Sequence, residues 1–168
     1  MKGLFASLIN PNGTKNEFRH GNAYANAMFG LAWLYKTTGE NKYLTAINDG
    51  INVLGTVYSD DLGMIIVQNG TLYPNHESTG PAYMAGRIAQ AIFTCAAFTK
   101  NSDHFREAER VLLFAFGRNG LHADLQNSER GFYYYTTTYR GASNSETSYE
   151  INLATLQLTY LKNIWKIL

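Results

Sequence analysis

Apolar residues fill nearly every position from Ala23 to Lys36, with Ala25, Ala27, Met28, Phe29, Leu31, Ala32, Trp33 and Leu34 leaving no polar face. That pattern predicts a helix walled in by others. Thr37 to Asn41 breaks it, and Gly39 suits the residue just past a helix end. The next stretch, about Lys42 to Val57, is different. Leu44, Ile47, Ile51 and Leu54 recur at helical spacing while Asn48, Asp49 and Asn52 turn away, which predicts an outer helix with one buried face. The pair then repeats. Ala82 to Thr99 is apolar with small residues at Ala85, Gly86, Ala89, Ala96 and Ala97, and Asn101-Ser102-Asp103 breaks and caps. Phe105 to Arg118 carries Phe105, Ala108, Val111, Leu112, Ala115 and Phe116 inward and Arg106, Glu107, Glu109 and Arg110 outward. Ser148 to Ile167 supplies a third inner helix, ending on Ile164, Trp165, Ile167 and Leu168 with no outer partner after it.

The aromatics closing the three inner helices, Tyr35, Phe98 and Tyr160, lie 63 and then 62 residues apart. A fixed period of this length predicts an array of helical hairpins in which each first helix occupies an equivalent place. Between the hairpins lie β-like insertions. Met64 to Gln68, Asn69-Gly70 and Thr71 to Tyr73 predict a β-hairpin with a type I′ turn, and Gly131 to Thr138 a second short extended segment. Both insertions lead into an inner helix, so all three inner-helix starts belong to one face and the tight loops near Gly39 and Ser102 to the other. The expected fold is mainly α: a single domain over residues 1–168 forming an incomplete array of two and a half helical hairpins.

Composition narrows the function. Charged residues are only 16% of the 168, against a usual share of roughly a quarter, and aromatics are 14% with 12 Tyr. The surface must therefore be polar through Asn, Thr, Ser, Gly and Tyr, a palette common in secreted and carbohydrate-handling proteins. A formal charge of +1 without basic clusters predicts no nucleic-acid partner. Met1 to Asn10 is too brief an apolar run for a signal peptide core or a membrane span. Cys95 is the single cysteine, in an apolar helix, and is expected to be a buried inert thiol. Asn12-Gly13-Thr14 and Asn69-Gly70-Thr71 match glycosylation sequons but are first of all turn signals.

Polar and ionisable residues collect at the inner-helix starts. They are Arg19, His20, Gly21, Asn22 and Tyr24; then Tyr73 through Thr79, including Asn75, His76 and Glu77, with Tyr83 and Arg87; then Tyr139, Arg140 and Ser143 to Glu146, with Tyr149 and Glu150. Carboxylates, imidazoles, guanidiniums and phenols on one face are the parts for proton transfer on a polar substrate. No His, Asp or Glu spacing matches a metal signature, so neither a metal nor a cofactor is predicted.

Repeat length, Ala- and Gly-rich inner helices and phrases such as Leu34 to Leu44 resemble the α/α-toroid carbohydrate enzymes. The order of elements is most similar to the C-terminal domain of the glucuronyl C5-epimerases: a β-hairpin after the first helical pair, Tyr73 to Pro81 leading into a helix, and Tyr149 opening a last helix that continues Leu156-Gln157-Leu158. The resemblance spans most of the chain from about Gly21 onward through short motifs. It implies action on a uronate-containing polysaccharide, with Glu77, Tyr149 and Tyr134 or Tyr135 serving the proton transfers at C5. It also implies an upstream region, with further site residues and a dimer surface, that these 168 residues do not match. A homo-oligomer or an upstream domain is accordingly an expected partner alongside the polysaccharide.

The chemistry of such a site is demanding because the C5 carboxylate disfavours a second negative charge. Arg87, Arg140, His76 and Asn75 are suited to neutralise it, with a phenol or Glu as base, and His20, Tyr139 and Glu146 complete the substrate-binding set. Return of a proton from the opposite ring face gives an epimerase, whereas expulsion of the 4-linked sugar gives a lyase. Two carboxylates such as Glu77 with Glu146 or Glu150 would instead suit glycoside hydrolysis, their separation setting the stereochemistry. Each residue also has a structural role open to it: Tyr134 and Tyr135 alternate with Tyr133, so at least one belongs to the core; Tyr149 can pack its ring; Glu77 can cap a helix; Glu146 and Glu150 can sit in a first turn where the helix dipole favours acids; and His20 can be a hydrogen-bonded structural residue. A non-catalytic carbohydrate-binding or assembly module is the reading from a different class.

Overall fold

A computed structural model describes residues 21–56, 65–68, 71–74, 81–117, 126–127, 132–133 and 145–165 of the chain, and these are mainly helical. Five helices follow in order: α1 (Gly21–Thr38), α2 (Asn41–Thr56), α3 (Pro81–Thr99), α4 (Ser102–Leu113) and α5 (Ser145–Trp165). Two short antiparallel ladders accompany them. β1 (Ile65–Gln68) pairs with β2 (Thr71–Pro74), placing Ile66 opposite Tyr73, and β3 (Gln126–Asn127) pairs with β4 (Phe132–Tyr133). The expected Asn69-Gly70 turn and residues 134–138 of the second extended segment lie outside the described residues.

Local chemistry sets the helix ends. Gly39 adopts φ +68, a left-handed conformation open to glycine, and its N–H donates to the Tyr35 carbonyl at 2.8 Å to close α1. Pro81 opens α3, where its missing N–H costs nothing. The Asn101 side chain accepts from the Asp103 N–H at 2.8 Å and so caps α4. α4 stops at Leu113, short of the expected Arg118. Its backbone tightens there into three-residue hydrogen bonds, from Phe114, Ala115 and Phe116 to Val111, Leu112 and Leu113, before Gly117 turns at φ 83.

Cross-helix contacts give the arrangement. Along α1 and α3, Asn26 meets Arg87, Met28 meets Cys95 and Trp33 meets Phe98; along α3 and α5, Gln90 meets Glu150 and Thr94 meets Gln157. Sequence numbers rise together in both series, so the three inner helices run parallel. Their hydrogen-bonded pairs are separated by 60 to 67 residues, which brackets the spacing of the closing aromatics. α3 is the middle member. From Ala85 to Ala96 every side chain on it is buried except Arg87 and Thr94.

The outer helices pack behind this layer. Tyr24 is fully buried and donates its hydroxyl to the Gly50 carbonyl at 2.8 Å, tying α1 to α2. Phe93, Phe105 and Trp165 form a ring series across α3, α4 and α5, with centroids 5.5 and 6.0 Å apart, and Lys162 reaches Glu109 at 2.6 Å. Trp165 is therefore packed against the core and is not part of an open edge. The edge of α5 is instead a stripe of Tyr149, Leu156, Tyr160 and Ile164, each more than half exposed. α1 also departs from the expectation of an enclosed helix: Trp33 and Leu34 are exposed because nothing among the described residues covers its far side.

The tightest contact in the layer is at Gly86. A Cβ there would lie 2.8 Å from the backbone carbon of Glu150 and 2.8 Å from the nitrogen of Ile151, closer than real side chains come. At Gly30 a Cβ would meet nothing within 4 Å. Two alanine substitutions should therefore move stability in opposite directions. Gly30→Ala should stabilise by about 0.5–1 kcal/mol through helix propensity. At Gly86 the same gain is outweighed by about 1–3 kcal/mol of overpacking, giving net destabilisation. Urea unfolding of both variants checks this, and equal shifts would contradict the close approach of α3 and α5.

Candidate functional site

Arg87 stands where the three inner helices come together near their starts. Its guanidinium Nη2 donates to Asn26 Oδ1 on α1 at 3.1 Å, its Nη1 lies 3.7 Å from Glu150 Oε1 on α5, and its Cζ sits 5.2 Å over the ring of Phe29. These contacts hold the part-buried cation in one orientation beside the buried carboxylate of Glu150. Glu150 is buried. Gln90 donates its amide both to the Glu150 carboxylate and, at 2.9 Å, to the Glu150 carbonyl. The buried acid therefore has a hydrogen-bond donor and a cation beside it, as burial of a charge demands. Gln90 and Asn26 are additions that sequence reasoning missed. The signal for Gln90 was its isolation, a lone amide between Ala89 and Ala91 in an apolar helix.

Of the residues expected in the site, Arg87 lies at this junction. Tyr149 immediately precedes Glu150 on α5, with its ring in solvent, so it shares the helix end with Arg87 and Glu150 without packing into the cluster. Glu146 belongs to the first turn of α5. His20, Asn75, His76, Glu77, Tyr134, Tyr135, Tyr139 and Arg140 lie outside the described residues. Tyr24, grouped with the polar residues of the first inner-helix start, is structural: burial, reinforced by Cys95 and Glu107, pushes its phenol well above the usual range, and its hydroxyl is bound to Gly50. Cys95 is buried, donates its thiol to the Met28 carbonyl at 3.6 Å and has its pKa pushed up by burial to about 12, which makes it inert.

A second polar cluster lies on the outer helices. A groove of about 540 Å³ runs between α2 and α4 beside His104, lined by Asn48, Asn52, Asn101, Asp103 and Glu107. Asn48, expected to turn away, faces α4 instead: its Oδ1 is 2.8 Å from His104 Nε2. Thr99 donates its hydroxyl to the Cys95 carbonyl at 2.8 Å, so it accepts from His104 Nδ1 at 3.1 Å. Asn101 has its oxygen taken by the Asp103 N–H, leaving its amide nitrogen 3.2 Å from Nε2. A half-turn of the Asn48 amide exchanges its oxygen for its nitrogen and lets both neighbours donate to a neutral ring. Asp103 pairs with Arg106 at 2.9 Å and Glu107 with Arg110, so both acids of the groove are engaged. This groove lies on the outer helices and not at the inner-helix starts.

No family model, no curated protein and no solved structure matches the chain. Among the described residues no three His, Cys, Asp or Glu side chains gather as metal ligands, and no helix is long and apolar enough to cross a membrane.

Burial lowers the His104 pKa below its ordinary 6.5, with Asp103 opposing the shift. The unfolded chain thus takes up this proton near 6.5 and the folded chain only at lower pH. Stability that His104 contributes above that point is lost as pH falls through the interval. Comparing urea midpoints from pH 7.5 down to about 5, wild type should lose more stability than His104→Gln, and parallel losses would contradict the buried neutral imidazole.

Proposed function

We propose that the chain is a polysaccharide-modifying domain that binds a uronate-containing polymer across the inner-helix starts and abstracts the C5 proton of a uronic acid, in the manner of the glucuronyl C5-epimerases. The observation that carries this reading is Arg87, a half-buried guanidinium braced by Asn26 and Glu150 where α1, α3 and α5 meet. Proton removal beside a carboxylate requires a fixed cation on that carboxylate, because pairing offsets the second negative charge as it develops. In this scheme the proton carriers are Glu77, Tyr149 and Tyr134 or Tyr135, and His20, Asn75, His76, Tyr139, Arg140 and Glu146 line the substrate. The three parallel inner helices are read as part of an α/α toroid and the β1–β2 ladder as its hairpin insertion. The exposed stripe on α5 is the edge at which a further repeat, an upstream domain or another copy would pack.

The reading as a carbohydrate-binding module is favoured by one observation of its own. Four acids of α4 and α5 are already engaged: Glu150 by Gln90 and Arg87, Glu107 by Arg110, Glu109 by Lys162 and Asp103 by Arg106. In the scheme above the catalytic acid is then Glu77 or Glu146, whereas binding needs only Arg87 and the amides.

Incubation with a glucuronate polymer in deuterated water distinguishes these outcomes. The epimerase reading expects deuterium at C5, and Tyr149→Phe should slow its incorporation by about two orders of magnitude by removing a proton carrier. An unsaturated product would assign a lyase, and new reducing ends without unsaturation a hydrolase. Binding with none of these signals would assign the module.

A further inference from the structure

Trp33 lies outside the proton-transfer set, yet it is the most conspicuous side chain on the same seam. It is 57% exposed, and its indole is not loose: the ring stands edge-on to Phe98 of α3, centroids 4.9 Å apart and planes at 69°. Lys36, one turn further along α1, places its ammonium 5.7 Å from the centroid of the Phe98 ring. One turn before Trp33, Gly30 leaves the helix surface bare, with nothing within 4 Å of where a Cβ would stand. A braced indole, an empty step beside it and a cation at its other side make a flat apolar platform with a charge at its margin.

The platform shares the α1–α3 seam with Arg87. Asn26 and Arg87 mark one end of the seam, Trp33 and Phe98 the other. Seven residues along α1 and eleven along α3 separate the two contacts, about 10 and about 16 Å at the rise of an α-helix. On α1 the exposed positions Asn26, Gly30 and Trp33 lie on one face and run from one end of the seam to the other, and on α3 Arg87, Thr94 and Phe98 are part-exposed on one face. The two ends are too far apart for one sugar ring to touch both.

We propose that Trp33 is a sugar-stacking subsite: the C–H face of a pyranose rests on the indole, Lys36 pairs with the carboxylate of a neighbouring uronate, and the same polymer strand reaches Arg87 along the α1–α3 seam. The inference rests on the polysaccharide reading above and adds a subsite and a minimum ligand length to it. Aromatic rings recognise the apolar face of a sugar through the same dispersion and burial that stack other flat groups. The margin cation selects acidic polymers over neutral ones.

Trp165→Phe leaves Trp33 as the single tryptophan, so its emission reports on the platform. Glucuronate oligosaccharides are titrated from the monosaccharide upward, with a neutral oligosaccharide of matching length beside them. The expected result is a change in Trp33 emission that begins only with oligomers and is weaker with the neutral series. Trp33→Ala should weaken binding of the long oligomer by about tenfold, the loss of one stacking contact, while leaving the thermal melt near that of wild type. Long oligomers that bind and lose affinity in Arg87→Ala but leave Trp33 emission unmoved would overturn the subsite and keep the polysaccharide reading. Absence of binding by every oligomer would overturn both.

Discussion

The structure depends on how closely α5 can approach α3 at Gly86. With no side chain at that position the two backbones meet, and this contact fixes the register in which Gln90 finds Glu150 and Thr94 finds Gln157. Glu150 is then carried under the layer, where it would be an unpaired buried charge were Gln90 and Arg87 not beside it. One glycine thus decides both the packing of the inner helices and the setting of the cation between them. The cost of burying Glu150 is met by partners that the close approach itself provides.

Around that contact the molecule separates two kinds of polar chemistry. The inner-helix seam gathers Asn26, Arg87, Gln90 and Glu150 from three helices, with an orientation fixed by mutual hydrogen bonds. The outer-helix groove gathers His104, Asn48 and Asn101, and its acids are held by arginines of their own helix. The first holds a part-exposed guanidinium between Asn26 and Glu150. The second uses its polar groups to join α2 to α4 and to the end of α3.

Much of this was legible in the sequence. The apolar stretches that end in Tyr35, Phe98 and Tyr160 are helical, as their pattern predicted, and α1, α3 and α5 run parallel. Gly39 and Asn101 marked helix boundaries through local chemistry that acts wherever the residues occur. What the sequence could not reveal depends on partners from distant elements. Tyr24 sits among ionisable residues in the chain, yet its hydroxyl points inward to Gly50. Asn48 lies on the polar side of α2, but the neighbour on that side is α4 and not solvent. Trp165 sits in the apolar end of α5 and folds back onto Phe105, so the exposed edge passes to Tyr149, Leu156, Tyr160 and Ile164. Of the junction around Arg87, the sequence singled out Arg87 and Glu150 as polar residues near helix starts; the amides of Asn26 and Gln90 were not legible, because nothing in local sequence distinguishes a buried glutamine that serves a neighbouring helix.

The central claim is that the seam of the parallel helices, and not the outer groove, is the surface that meets a ligand. Backbone amide chemical shifts of the isotope-labelled chain, followed while a glucuronate oligosaccharide is added, test it most directly. The account predicts shifts that grow together along Asn26, Gly30, Trp33, Arg87, Thr94 and Glu150 while Asn48, Asn52 and His104 stay still. Shifts confined to the groove between α2 and α4, or none on the seam at saturating oligosaccharide, would contradict it.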